Sequence, residues 1–314
     1  MKSKRKGCFM FGLVEQFGFN AVWSPLFLMF ILFIATLYLW LVGPGRDRFK
    51  DSEPVKLIQK VSFLFGLFLV YLSHGGPLDL LAHLTFTGHM IGMSVVYMVA
   101  PPFLILGLPV WFLRAFFNLK WIKKGTFILH PIFTVLFFNV AFSIYHIPMV
   151  HDFVMIHYNV HTAYYILLFV AAMMMWWPIV CPVPEMDKIW GVKKMGYIFL
   201  NGALLTPACA LIIFSRTPLY GSFNDPMIWA QALGYCFPAS STEILNLFSG
   251  PQAFAFTKPV EDQQLGGVIM KLIQEFSYGG FLLYTFRQWY DKEKRNDPEK
   301  EKMDRLLNKH GQRI

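Results

Sequence analysis

The chain has 314 residues, of which 55% are hydrophobic, 18% aromatic and only 15% charged, with a mean hydropathy of +0.46. Soluble domains carry roughly 25% charged residues, so this deficit excludes an ordinary water-soluble domain and points to lipid as the solvent. The formal net charge of +9 does not signal nucleic acid: Lys and Arg stand in short clusters between apolar runs, as in cytoplasmic loops resting against anionic headgroups.

Residues 1–23 read as a leading segment. Lys2, Lys4, Arg5 and Lys6 precede a short apolar stretch broken by Glu15. That stretch lacks the apolar core and small-residue cleavage site of a removed signal peptide, so it is expected to remain. From 24 to 289 apolar runs recur with no polar domain between them. This predicts one all-α domain, a polytopic membrane helical bundle of about seven transmembrane helices. A span needs about 20 apolar residues, and the candidates are 25–42, 57–73, 83–108, 127–145, 160–179, 195–214 and 265–286. The second is short and carries Lys60 near one end, where the ammonium can snorkel. In the third, Pro77 suits a first helical position. Pro101-Pro102 is expected to end or kink that helix and leave 103–117 as an interfacial continuation. Residues 215–264 are half polar, with 227–233 and 244–256 suited to lie in the interface. Residues 290–314 form a charged, Pro-containing tail, read as a short cytoplasmic helix or a disordered end. Trp176-Trp177-Pro178 and Trp190 fit an aromatic belt at the cytoplasmic side.

Loop charge sets the expected orientation. Arg46, Arg48, Lys50 and Lys56 follow span one; Arg114, Lys120, Lys123 and Lys124 follow span three. Lys188, Lys193 and Lys194 follow span five, and Arg287, Lys292, Lys294 and Arg295 follow the last. Stretches 75–82 and 146–160 contain neither Lys nor Arg. Positive-inside reasoning puts the N-terminus outside and the C-terminus in the cytoplasm, with the Lys2–Lys6 cluster the one dissenting patch.

The nine histidines are gathered rather than scattered. His74, His83 and His89 flank the outer end of spans two and three, and His146, His151, His157 and His161 that of spans four and five. His130 falls near the inner end of span four and His310 in the tail. His157 and His161, four apart, are expected to share a helix face. If one helix runs from Leu78 through span three, steps of roughly 100° per residue set His83 and His89 about 120° apart, with Met90, Met93 and Tyr97 in the arc between them. Imidazoles and thioethers would then line one helix opposite a second that offers a histidine pair.

Imidazole with thioether suits copper, Cu(I) above all. A zinc enzyme is less suited, since only Asp79 and Asp152 stand in the same pattern and neither approaches HExxH. A b-type haem between one of His83 or His89 and one of His157 or His161 is the alternative; it needs a cavity deeper between helices than these positions offer. A proton relay is a third use. A single such His is commonly an interfacial anchor and a single Met commonly packing, but several imidazoles near a membrane are costly to desolvate without partners. Cys8, Cys181, Cys209 and Cys236 show no CxxC or other metal-type spacing and no disulfide framework; Cys181 and Cys209 read as apolar fillers. In the run Asp262-Gln263-Gln264-Leu265-Gly266-Gly267 the glycines permit close helix approach. Asp262 either accepts from an imidazole N–H of the cluster or is a loop carboxylate beside a Gly turn. No phosphate loop, nucleophile elbow or carboxylate dyad is visible, and no enzymatic role is expected.

Several short motifs, in order, carry a resemblance. Ala82-His83-Leu84 with His89-Met90, Ala100-Pro101-Pro102, Tyr145-His146-Ile147-Pro148 and the pair His157 and His161 are followed by Trp177-Pro178, Cys181-Pro182-Val183-Pro184 and the Asp262–Gly267 run. Together, from Trp23 to Arg287, these resemble the Bacillus-type CtaG family, assembly factors of caa(3)-type cytochrome c oxidase. The resemblance implies a multi-pass plasma-membrane protein of a Gram-positive bacterium. It implies a role in supplying copper to the oxidase, at the copper that neighbours haem in the catalytic subunit. Oxidase subunits, a copper donor protein and membrane lipid are the implied partners, with a homo-oligomer open. The single-span proteobacterial proteins of the same name use a Cys pair that this chain lacks. Carried over by position, the candidate ligands are His83, His89, His146, His157 and His161. Met90 and Met93 join them from helix phasing, while His74 and His151 rest on the cluster alone.

Overall fold

A computed structural model of the chain describes residues 9–49, 51–237, 239–254 and 257–295, and those residues are helical and loop throughout, with no strand among them. Helices α1 (Phe9–Phe17) and α2 (Phe19–Trp23) lead into α3 (Pro25–Val42). Then come α4 (Leu57–His74), α5 (Pro77–Leu84) and α6 (Phe86–Ser94), which passes through a π segment, Val95–Val99, into α7 (Ala100–Gly107). The short α8 (Val110–Phe117) and α9 (Lys120–Gly125) precede α10 (Pro131–Tyr145), α11 (Pro148–Met155) and α12 (Tyr158–Val180). After α13 (Val192–Phe214), the short α14 (Pro226–Leu233) and α15 (Ser241–Phe248) lead to α16 (Pro259–Arg295). Proline opens α3, α5, α10, α11, α14 and α16, where its missing N–H costs nothing and its fixed φ suits the first turn.

Among the described residues five helical runs are long and apolar enough to cross a membrane: Phe19–Val42, Leu57–Leu84, Phe86–Gly107, Tyr158–Val180 and Val192–Phe214. A sixth results if Lys120–Leu129 and Pro131–Tyr145, bent by 75° against each other, are one span. The seventh expected span, 265–286, lies inside α16, a single helix of 37 residues. Its middle carries Lys271, Gln274 and Glu275, with an ion pair of 2.7 Å between Lys271 and Glu275, so it is polar for a span although it packs on α13 and α6 as part of the bundle. Residues 290–295 of the expected tail continue this helix; residues 296–314 and 1–8 lie outside those described.

The surface is that of a protein solvated by lipid. Leu26, Phe33, Phe199, Phe214 and Phe276 are exposed, while Thr134, Asn139, Asn201 and Gln274 are buried. The buried polar groups are joined between helices. Asn139 on α10 donates to Asn201 on α13 at 3.0 Å, and the Thr134 and Tyr197 hydroxyls meet at 2.9 Å. Inter-helix hydrogen bonds of this kind hold membrane bundles together where no hydrophobic drive exists between helices.

Pro101-Pro102 does not end the third span. The prolines remove the donors that would have met the Tyr97 and Met98 carbonyls, and two side chains replace them. Trp176 Nε1 donates to the Tyr97 carbonyl at 3.1 Å, and the Ser277 hydroxyl to the Met98 carbonyl at 2.8 Å. The π segment lies just before the prolines, where such irregularity is absorbed. Trp176 is therefore a core residue, as is Trp177, rather than part of an aromatic belt. Trp190 is exposed, with the Lys292 ammonium 4.2 Å from its ring centroid. α7 also packs hard on α4, since a Cβ at Gly107 would meet the Phe63 backbone at 2.6 Å.

The Asp262–Gly267 run fastens α16 to its neighbours. Asp262 accepts from the Phe86 amide at 2.8 Å and from the Thr87 amide at 3.4 Å, at the start of α6. Gln263 accepts from the Leu219 amide at 2.7 Å and donates to the Ile212 carbonyl at 3.2 Å. A Cβ at Gly266 would stand 2.9 Å from the Phe86 ring, and one at Gly267 2.8 Å from Ile213. Asp262 thus caps a helix instead of accepting from an imidazole. A small apolar cap completes this end, where Trp229, Ala230 and Leu233 of α14 and Ile244 of α15 pack on Leu80 and Leu84 of α5.

Candidate functional site: a buried histidine layer

The helix that the sequence leads one to expect through Leu78 and span three is broken at Thr85. Its backbone is extended (φ −138°, ψ 147°), and its hydroxyl accepts from the Gly88 amide at 3.1 Å to cap α6. With Asp262 holding the next two amides, the first turn of α6 is fully capped and has no need of α5. His83 therefore sits in the last turn of α5 and His89 in α6, on two helices, and the 120° phasing between them does not apply.

What brings the histidines together is tertiary. Tyr145, at the C-terminal end of α10, is the hub. Its hydroxyl meets His89 Nε2 at 3.3 Å, the Tyr165 hydroxyl at 3.2 Å and Met155 Sδ at 3.8 Å. Its ring stacks on His89 with centroids 5.8 Å apart, and lies 5.2 Å from the rings of both His146 and His151. His89 and His151 meet edge to face at 5.0 Å. These three histidines are 1%, 1% and 0% exposed. Beyond Tyr165 lies a second group. The His161 ring is 4.0 Å from that of Tyr165 and 5.7 Å from that of His83, and His74 is 5.3 Å from Tyr165. The layer has two wings, His89, His146 and His151 on one and His74, His83 and His161 on the other, joined by the Tyr145–Tyr165 hydroxyl pair.

Four of these histidines, His83, His89, His146 and His161, and the Tyr-His-Ile-Pro turn are among the motifs on which the resemblance rests. A family model described as cytochrome c oxidase caa3 assembly factor matches residues 36–292. The chain belongs to the CtaG family. No curated protein and no solved structure matches it.

In this CtaG-family chain three of the six imidazoles are oriented by a backbone carbonyl. His146 Nδ1 donates to the Phe142 carbonyl at 2.7 Å, His83 Nδ1 to the Asp79 carbonyl at 2.9 Å and His74 Nδ1 to the Ser73 carbonyl at 3.2 Å. A carbonyl can only accept, so Nδ1 carries a proton, and in the neutral ring the lone pair is on Nε2. His151 Nδ1 lies 3.2 Å from the Ser222 hydroxyl and 3.6 Å from an Asp152 carboxylate oxygen. That carboxylate is itself fixed by the Gly221 and Ser222 amides at 2.8 and 2.9 Å. The Nε2 atoms of His74, His146, His151 and His161 are buried and have no partner among the described residues. Native interiors rarely leave such atoms unpaired, and a fixed, free imidazole lone pair is what a metal ligand presents. Burial pushes His146 down to about 3 against the opposing Phe142 carbonyl, and lowers His151 although Asp152 works the other way. Burial opposes the charge on Asp152, but His151 and the two amides together hold its carboxyl below the usual carboxylate range. His146 and His151 are therefore neutral, as ligands must be.

Of the CtaG-family candidates, His83, His89, His146 and His161 reach the layer and His157 does not. His157 is the residue before α12, not part of it, with φ −123° and ψ 95°. Its Nδ1 donates to the Phe153 carbonyl at 2.7 Å, which holds the ring at the exposed surface, so it does not share a helix face with His161. Met90 and Met93 are buried in the core. Met90 faces α16, 3.2 Å from where a Cβ at Gly266 would be. The thioether at the hub belongs to Met155 instead. His151 and Met155 stand four apart on α11, a spacing visible in the sequence that flanks the Tyr-His-Ile-Pro motif. Tyr145 was legible only as that motif's first residue. Tyr165 and Cys236 carried no local signal; Cys236 lies with Asp79 and His83, the three ligand atoms all within 4.8 Å of one another.

Proposed function

We propose that this chain carries Cu(I) for the assembly of caa3-type cytochrome c oxidase. In this reading it holds the ion among His89, His146, His151 and Met155 and passes it by ligand exchange to the catalytic subunit. The observation that carries the reading is the pair of buried Nε2 atoms, of His146 and His151, that have no partner among the described residues. Leaving a polar atom so placed costs a desolvation penalty of roughly 1–3 kcal/mol, which a bound cation would offset. Cu(I) is soft and accepts few ligands, neutral imidazole and thioether among them. A site of neutral donors suits a dry interior, where a bare anionic set would be costly. The rings meet at 5.0 to 5.8 Å, a packing that favours a single ion over a haem macrocycle. The loop charges favour an outward-facing histidine end on the plasma membrane, within reach of a copper donor protein and of the oxidase. The chain then acts as carrier and not as catalyst.

The test is the copper content of the caa3 oxidase purified from cells that lack the chain or carry His146→Ala with His151→Ala. The expected outcome is oxidase protein deficient in the copper beside its haem. Full copper occupancy in the absence of the chain would overturn the reading. Loss of the oxidase subunits with unchanged copper per oxidase would mark a metal-free scaffold instead.

A further inference from the structure

Asp79, His83 and Cys236 come from the first turn of α5, its last turn and the segment after α14. Their ligand atoms lie within 4.8 Å of one another. His83 is buried, Asp79 and Cys236 half-buried, so the group opens toward the edge of the layer where His89, His146 and His151 are closed in. Cys236 is not a loop residue that drifts past. It packs on the apolar cluster of Leu80, Leu84, Trp229 and Leu233, which joins α14 to α5 and sets the thiol over the helix that bears the other two donors. His83 has its Nδ1 on the Asp79 carbonyl at 2.9 Å, which leaves Nε2 as the ring nitrogen available to a metal. His161, whose ring is 5.7 Å from that of His83, offers a further buried Nε2 with no partner among the described residues.

We propose that Asp79, His83 and Cys236, with His161 as a fourth donor, form a site for a divalent cation of the Zn(II) class, separate from the imidazole group around Tyr145. The donor set decides the class. Thiolate, imidazole and carboxylate are the three ligand types of tetrahedral zinc sites. One thiolate and one carboxylate neutralise a divalent ion, whereas a monovalent ion would leave a half-buried negative charge uncompensated. Binding forms the metal–sulfur bond as the thiol proton leaves to solvent, while both imidazoles enter neutral. An ion here ties the α14–α15 cap to α5 beside the histidine layer. This assignment does not depend on the copper reading, since only His83 and His161 belong to both the layer and this site.

Co(II) is the probe, because a tetrahedral Co(II)–thiolate site shows a thiolate-to-metal charge-transfer band that imidazole and carboxylate alone do not give. Full-length protein in detergent should take up one equivalent of Co(II) with that band, and Zn(II) should bleach it. Cys236→Ser and His83→Ala should abolish the band, and His146→Ala should keep it. Co(II) binding without the band, or a band that survives Cys236→Ser, would overturn the proposal; so would uptake of Cu(I) with no uptake of Co(II) or Zn(II). Should Cys236→Ser fail to fold, alkylation of Cys236 in the wild-type chain, followed by peptide mass, gives the same decision. Zn(II) should slow it at least tenfold, and an unchanged rate would overturn the site. Absence of Cu(I) binding would sink the carrier reading and leave these outcomes untouched.

Discussion

Tyr145 shows how one residue can organise a site made of others. Its hydroxyl contacts an imidazole, a second phenol and a thioether, and its ring is packed by three histidines. Around it His146 and His151 stay neutral because burial penalises their protonated forms. The consequence for stability has a definite sign. The folded state excludes protons that an ordinary histidine, titrating near 6.5, binds once the chain unfolds. Stability from these groups is complete above about pH 6.5 and falls as the pH drops toward the folded value of about 3 for His146. Each such histidine contributes a slope of up to about 1.4 kcal/mol per pH unit. The depressed Asp152 carboxyl adds in the same direction in the carboxylate range. The thermal midpoint of the metal-free protein in detergent should therefore fall steadily from pH 7 to pH 4, and His146→Gln should make the fall shallower. A midpoint flat across that range would contradict the buried, neutral assignment.

At the scale of elements, the third span illustrates what a sequence conveys and what it withholds. The double proline announced an irregularity, and the π segment before it is that irregularity. Continuation of the helix depended on donors from elsewhere in the chain, Trp176 and Ser277. Ser277→Ala should cost about 1–2 kcal/mol, the price of an unpaired buried carbonyl, read as a lower unfolding midpoint with the helix content unchanged. A variant as stable as the parent would mean that the Met98 carbonyl finds another partner. The break at Thr85 had only a threonine N-cap as its local signal, because the carboxylate of Asp262 that completes the cap lies in another helix. Periodicity located the helical segments well, since amphipathic and apolar patterns are local. The phasing of His83 against His89 failed because it assumed continuity that a distant cap had removed.

For the whole molecule, the membrane bundle and the gathering of histidines at one end were legible, and the family resemblance is borne out by the match over 36–292. Hydropathy counts spans by composition and so treats α16 differently from its neighbours, though α16 is fastened into the bundle by Asp262, Gln263 and two glycines. The division of the histidines into two wings was not legible, nor was the meeting of Cys236 with His83. Both depend on how α5, α6, α11 and α12 pack around Tyr145 and Tyr165. Under the proposed function the Tyr145 wing is a Cu(I) site. Its most direct test is Cu(I) titration of the purified chain against a competing chelator under reducing conditions, comparing wild type, His146→Ala with His151→Ala, and His157→Ala. Wild type and His157→Ala should bind alike, and the double variant should lose at least tenfold in affinity. A wild-type chain that binds no Cu(I), or a double variant that binds as tightly as wild type, would contradict it.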